Sequence, residues 1–482
     1  MNWRFLRYLW GRILSTEGLM MLPPLVVAVI YRESFSMIIS FVVSALLCLV
    51  SGLLLAGKKP EQQNFFALEG LVFASVIWML LSLFGALPFL LSGHVHSFVD
   101  ALFESTSGFT TTGASVLGNV EDLPHSLLFW RSFTLLIGGM GMLVFVLRFM
   151  PQFGHKGLYI MRAELPGPYS GKVESRVSSS IHLLYVIYLS MTALLVIFLA
   201  AGGIPLFEAF LLAFGAAGTG GFGIKENNLA HYGSNYVQMV MGIGMMVFGM
   251  NFNFFYLIAV GKWRQVKKSE ELRWYLGIIA VAVALISLQL FPKYGSVSQM
   301  LQDVYFTVTS VISTTAYMTV DVNVWPTFSR VVLMILMFSG AMSGSSTSGF
   351  KVARMAVFAK TVRQEIRHAI NPSRNVPIQF EGHELDKNAQ RSIIYYFVCY
   401  FSVFMALLLL LSPFARNFSG AFSAVIATLN NIGHGLDLLG PSLDYKELPQ
   451  AAKLIMTLAM LMGRLEIFPV LVLFSPSTYR KT

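Results

Sequence analysis

Four short segments of this 482-residue chain resemble one another: Ser107-Gly-Phe-Thr-Thr-Thr-Gly113, Gly215-Ala-Ala-Gly-Thr-Gly-Gly221, Ser310-Val-Ile-Ser-Thr-Thr-Ala316 and Ala427-Thr-Leu-Asn-Asn-Ile-Gly433. Aligned on the seventh residue, they stand 108, 95 and 117 residues apart. Each follows a short apolar stretch and precedes a polar loop and a long apolar run. A chain that repeats helix, half-helix, small-residue turn and helix four times can close a ring around one axis. In such a ring, backbone carbonyls replace the water around a cation.

Composition places the ring in a membrane. The chain is 55% hydrophobic and 12% charged, against about 25% charged for soluble domains. A helical span needs about 20 apolar residues. Ten such runs are present, near 15–31, 35–56, 66–91, 127–150, 180–203, 235–260, 274–291, 328–358 (interrupted), 391–412 and 451–475. Cys48 and Cys399 both lie inside apolar runs, which speaks against disulfides and metal clusters. The expected fold is an all-α polytopic membrane protein. Four tandem helix–pore loop–helix units surround a single pore, and two further transmembrane helices precede them. The units divide at 64–176, 177–270, 271–388 and 389–482, after an N-terminal region 1–63. Half-helices of about 97–109, 205–217, 298–312 and 418–429 are too short to cross. Irregular backbone after them is tolerated only where it lines a cavity or is packed in protein.

The net charge of +10 has a topological explanation. Lys58 and Lys59; Arg148, Lys156, Arg162, Lys172 and Arg176; Lys262, Arg264, Lys267, Lys268 and Arg273; Lys360, Arg363, Arg367, Arg374, Lys387 and Arg391; and Arg480 and Lys481 follow alternate spans. The positive-inside rule places these loops and both termini in the cytoplasm, so nucleic acid is not needed to explain the charge. The other loops hold Glu121, Asp122, Asp321, Asp437, Asp444 and Glu447. These acids either concentrate cations at an outer mouth or are ordinary solvated charge.

Half-helices aimed at the axis present their partly negative C-termini, which favours a cation. None of the turns contains Asp or Glu, so selectivity rests on carbonyls. Glycine permits the conformations that turn successive carbonyls one way, and threonine adds a hydroxyl. In the inward spans, Gly138, Gly139, Gly141, Gly242, Gly244 and Gly249 serve close helix packing or widen an inner vestibule.

The chain resembles the TrkH/TrkG/KtrB superfamily of potassium transporters. The firmest points are Thr110-Thr-Thr-Gly113-Ala, Thr219-Gly-Gly221-Phe, Asn430-Asn-Ile-Gly433-His-Gly435-Leu and Gly463-Arg-Leu-Glu-Ile-Phe468 with Ser475-Pro. Its length and two extra N-terminal spans are nearer to TrkH or TrkG than to the shorter KtrB. The resemblance implies potassium uptake across a bacterial cytoplasmic membrane, with no covalent cofactor and a potassium ion in the filter. It also implies a homodimer of two separate pores, in lipid, above a cytosolic TrkA-type nucleotide-binding regulatory ring. The filter residues it implies are Thr111, Thr112 and Gly113; Thr219, Gly220 and Gly221; Thr314, Thr315 and Ala316; and Asn431, Ile432 and Gly433. Two positions depart from the family pattern. Ala316 stands where glycine is expected, adding a methyl and a penalty at positive φ. That departure opens a less selective potassium/sodium pathway as an alternative. His434 stands where proline is frequent; it adds pH sensitivity or simply faces solvent.

The eighth span is broken by Ser339-Gly-Ala-Met-Ser-Gly-Ser-Ser-Thr-Ser-Gly-Phe350, a density of glycine and serine that does not favour helix. The resemblance makes it an intramembrane gate loop, comprising Gly340, Gly344, Ser345, Ser346, Gly349 and the adjoining Lys351, with Arg354 beyond. The plain alternative is a kink that eases packing. Arg464, alone in mid-span, must face water or a partner. It either projects into the pore or pairs with an acid such as Glu466. A secondary carrier for a small organic solute would need inverted repeats and an ionisable site at the midplane, whereas these four units run in one orientation. The spans carry no constellation suited to an enzyme. The loops 151–176 and 360–391 are the natural surfaces for a regulator or for lipid headgroups.

Overall fold

A computed structural model of the chain describes residues 1–61, 66–140, 177–372, 377–435 and 445–479. The first helix shows why a boundary moves. Phe5, Leu6, Leu9, Trp10, Ile13 and Leu14 recur at helical spacing and are buried, while Arg4, Arg7 and Arg12 lie on the opposite, exposed face. The helix therefore starts at Trp3, well before the expected residue 15, and continues past Met21 to Ile30. It packs against Phe35–Ala56.

Four units follow. The outward helices are Leu68–Leu91, Leu183–Ala201, Glu270–Lys293 and Lys387–Phe414. The short half-helices are Phe98–Phe109, Leu206–Gly218, Val297–Ile312 and Phe418–Leu429, each within one residue of its expected bounds. Ser97, Ser296 and Asn417 cap three of them by accepting from a backbone N–H, and Pro205 precedes the other. The inward helices begin at His125, Asn235, Thr327 and Gln450. Among the described residues, six helices are long and apolar enough to span, or up to eight if two bent pairs each count as one.

Those bends correct the expectation of continuous spans at 235–260 and 451–475. Asn235–Phe248 turns by 93° into Phe252–Ala259, and Gln450–Arg464 turns by 119° into Phe468–Phe474. At the first bend Asn251 caps the new helix by accepting from the Asn253 N–H at 2.9 Å. At the second, Glu466 and Ile467 both take positive φ, 56° and 69°. The expected break in the eighth span is present: Thr327–Ser339 ends in an irregular stretch, and Val352–Ile370 resumes as helix. Described parts of the inward helices thus stop or bend at Gly139, Phe248, Ser339 and Arg464.

Gly138 shows what the inward-span glycines do. A Cβ there would overlap the Phe109 carbonyl, so the helix lies directly against the end of the first half-helix. Gly141 lies outside the described residues, as do the unit boundaries at 63 and 176, the loop 151–176, and the acids Asp437 and Asp444. The boundaries drawn at 270 and 388 fall in the first turns of Glu270–Leu290 and Lys387–Leu411. One element was not foreseen: a two-stranded hairpin pairs Gln379–Phe380 with His383–Glu384 in the loop 360–391.

Candidate ion site at the four turns

The same backbone conformation recurs after every half-helix. The fifth residue of each segment is left-handed: Thr111, Thr219, Thr314 and Asn431 have φ of 56°, 58°, 56° and 51°. So is the seventh: Gly113, Gly221, Ala316 and Gly433 have φ of 79°, 44°, 59° and 91°. An alternation of left-handed and right-handed or extended residues aims successive carbonyls to one side of the chain. The N–H groups face the other way. The sixth residue of each segment donates to the carbonyl of the first, Thr112 to Ser107 at 2.8 Å, Gly220 to Gly215 at 3.0 Å, Thr315 to Ser310 at 3.0 Å and Ile432 to Ala427 at 2.8 Å. This six-to-one closure ends a helix on a left-handed residue. It spends the amides on the half-helix; among the described residues the turn carbonyls are left unbonded except that of Gly433, which accepts from the Tyr445 hydroxyl at 2.5 Å.

The turns meet edge to edge. A Cβ on Gly433 would overlap the Thr112 carbonyl oxygen, one on Gly113 that of Gly220, and one on Gly221 that of Thr315. Three of the four junctions therefore have no room for a side chain. The remaining junction, between the third and fourth turns, is where Ala316 carries its methyl. Ala316, Ile432 and His434 line a cavity of about 30 Å³ there. His434 is half-buried and its Nδ1 finds no hydrogen-bond partner among the described residues, which corrects the reading of a solvent-facing loop residue. Turn four is sewn to turn one by Asn431 Nδ2, which donates to Thr112 Oγ1 at 2.8 Å and to the Met460 carbonyl at 2.9 Å. Thr314 Oγ1 and Asn431 Oδ1 are buried acceptors with no partner among the described residues.

Beneath the turns lies the irregular stretch of the eighth span. Gly340, Gly344, Gly349 and Lys351 hold positive φ of 60°, 75°, 86° and 68°. Its backbone is bonded to its neighbours: the Met342 N–H donates to Gly249 at 3.1 Å, and Gly344 accepts from the Phe252 N–H at 3.1 Å. Ser345 Oγ closes on the Met342 carbonyl at 2.6 Å, and Ser346 Oγ donates to the Ala217 carbonyl at the end of the second half-helix at 3.0 Å. Arg464 Nη1 donates to the Ser346 carbonyl at 2.7 Å and reaches Thr111 Oγ1 at 3.4 Å, while Nη2 bonds the Gly138 carbonyl. Glu466 pairs with Arg354, which also lies 4.2 Å over the Tyr396 ring. Lys351 is buried and folds back on Thr347. At the other end of the turns, Glu121 faces Lys225 and Glu447 faces Arg416. Lys225 is shared with Glu208 at 3.3 Å, and the Arg416–Glu447 pair is open to solvent, so both pairs are weak and screened.

The arrangement is a ring of four carbonyl-bearing turns over a buried loop and a guanidinium. Residues 36–480 match the TrkH family, described as cation transport proteins. The chain belongs to the TrkH family. It is 30% identical over 475 residues to the Trk system potassium uptake protein TrkH of Salmonella typhimurium, covering 97% of each chain. Identity to the Trk system potassium uptake protein TrkG of Escherichia coli K12 is 29% over 490 residues, 99% of each. The crystal structure of the potassium transporter TrkH from Vibrio parahaemolyticus superposes with a TM-score of 0.89 at 27% identity, covering 100% of both chains.

This TrkH-family chain braces its turns with charges that the sequence reading passed over. Glu104, in the first half-helix, accepts from Ser115 Oγ and the Val116 N–H, both at 3.1 Å, just beyond the first turn. It also pairs with Arg131, whose Nη1 donates to the Gly223 carbonyl beyond the second turn at 2.7 Å. The Arg131 guanidinium lies 3.8 Å over the Phe222 ring. One buried ion pair thus fixes the outer legs of two neighbouring turns. Lys453 and Asp100 at 2.6 Å tie the fourth unit to the first in the same way. An acid inside a short apolar half-helix and an arginine inside an apolar span were the available signals. Arg131→Gln leaves Glu104 buried without its cation. The expected loss is about 3–5 kcal/mol, read as a large drop in melting temperature in detergent. A stability unchanged within error would show the pair to be dispensable.

Proposed function

We propose that the chain takes up potassium across the cytoplasmic membrane through a channel-like pore, with both termini cytoplasmic. The twelve residues of the four turns form the filter, and the turn carbonyls that have no partner within the protein face its axis. The stretch 340–350, with Lys351 and Arg464, is the gate beneath it. The observation that carries this reading is the fourfold recurrence of two left-handed residues with the same six-to-one backbone bond. Four loops of unrelated purpose have no reason to share it. The names of the relatives supply the ion. The same kinship supports a homodimer of two pores over a cytosolic nucleotide-binding ring, with the loop 360–391 among its contacts.

The test is flux of potassium, rubidium and sodium through the purified protein in liposomes. Potassium and rubidium are expected to pass well ahead of sodium. A cation preference of the opposite order, or permeation by organic solutes, would overturn the filter. A second reading, a pathway that also admits sodium, is favoured by Ala316 and the cavity beside it. Ala316→Gly removes the methyl and relieves about 1 kcal/mol of strain at positive φ. It is expected to lower the sodium share of the flux and to raise the melting temperature. An unchanged sodium share would show that the junction between the third and fourth turns tolerates alanine without relaxing selectivity.

A further inference from the structure

The hairpin in the loop 360–391 contains a residue of the wrong type for its place. Its two-residue turn, Glu381-Gly382, has φ of 53° and 78°. Hairpin turns of this kind favour asparagine, aspartate or glycine at both positions. Glutamate there is strained, yet its side chain is hydrogen-bonded. Glu381 Oε1 accepts from Ser269 Oγ at 2.6 Å and from the Glu271 N–H at 2.8 Å. Ser269 is the cap of the helix Glu270–Leu290, so a carboxylate sits where the free amides and dipole of that helix favour it.

The same helix end holds the intramembrane stretch. Glu271 Oε1 accepts from the Ser343 N–H at 2.6 Å. The hairpin also grips the helix that leaves that stretch. Phe380 is fully buried against Ala353, Ala356 and Val357, and Lys360 Nζ donates to the Gln379 carbonyl at 2.7 Å while pairing with Glu270. Gln379, Gly382, His383 and Glu384 remain exposed. A small surface element therefore touches both supports of residues 340–350.

We infer that Glu381 is a positioning residue for the gate. It fixes the start of the helix Glu270–Leu290 so that the Glu271 carboxylate keeps the Ser343 amide, which latches the loop closed. This inference rests on the reading of 340–350 as the gate.

The experiment is rubidium flux through the full chain in liposomes without any partner. Glu381→Asn suits the turn but is too short to reach Ser269. Losing a charge-assisted bond on the closed state raises the open population about tenfold, so basal flux is expected to rise by about that factor. Glu381→Gln keeps the Oε1 acceptor without the charge, and its flux is expected to lie between those of the parent and Glu381→Asn. Glu271→Ala is expected to raise flux likewise, with no further rise when combined with Glu381→Asn, because both break one chain of contacts. Equal flux in the asparagine and glutamine variants would overturn the latch, whether both rose or both matched the parent. Shortening residues 340–348 tells the two failures apart. If that raises flux while Glu381→Asn does not, the gate stands and the latch falls. If shortening changes nothing, the gate reading fails and takes the latch with it.

Discussion

Cation flux is expected to vanish in Gly113→Ala. Two penalties act at that position. Alanine at φ 79° is left-handed, which costs roughly 1–2 kcal/mol. The added Cβ would also fall on the carbonyl oxygen of Gly220, and that backbone cannot swing away without opening the junction between the first two turns. Gly93 separates the two effects. It has φ 76°, but a Cβ there meets nothing within 4 Å. Gly93→Ala is therefore expected to lose about 1–2 kcal/mol of stability and to keep its flux. Rubidium uptake into liposomes, with melting temperature as the companion measurement, checks both variants. Full flux through Gly113→Ala would mean that the first two turns are not packed edge to edge in the conducting state.

Arg464→Gln is expected to raise flux strongly. The guanidinium stands between the first turn and the intramembrane loop, bonded to Thr111 Oγ1 at 3.4 Å and to the Ser346 carbonyl at 2.7 Å. A cation descending from the turns meets a fixed positive charge. At a separation of about 8 Å and an effective dielectric of about 20, repulsion is on the order of 2 kcal/mol, roughly thirtyfold in a rate. Glutamine removes that charge and also loosens the hold on Ser346, and both changes act in one direction. Arg464→Lys keeps the charge without the forked geometry, so its flux should stay far nearer the parent. Similar flux in both variants would move Arg464 from barrier to brace.

Much of this architecture was legible because membrane burial makes small polar residues conspicuous. Thr110–Gly113 and Ser339–Phe350 stand out in apolar surroundings, and the short half-helices between turn and loop could be bounded to within a residue. The bends after Phe248 and Arg464 were not legible, because Met250, Phe252, Leu465 and Ile467 continue the apolar run straight through them. Hydropathy counts side chains and is blind to φ. The start at Trp3 was hidden by arginines that lie on one exposed face. Glu104 and Arg131 were hidden for the opposite reason: each is a single charge in an apolar segment, and nothing local says that they meet across 27 positions. Glu381 gave no signal at all, since its role depends on a helix more than a hundred residues earlier. Ala316 is the instructive middle case. The departure from glycine was visible in the sequence, but only the ring of junctions shows which two turns its methyl separates.

Building the ring from one polypeptide has a consequence for how such a protein changes over generations. In an assembly of four identical subunits, a single codon alters every wall of the passage at once. Here each turn is encoded separately, and the four are not identical: glycine at three seventh positions and alanine at the other, threonine at three fifth positions and asparagine at the remaining one. Selectivity can then be adjusted a quarter at a time, through intermediates that still conduct. An asymmetric passage is what such a history leaves behind.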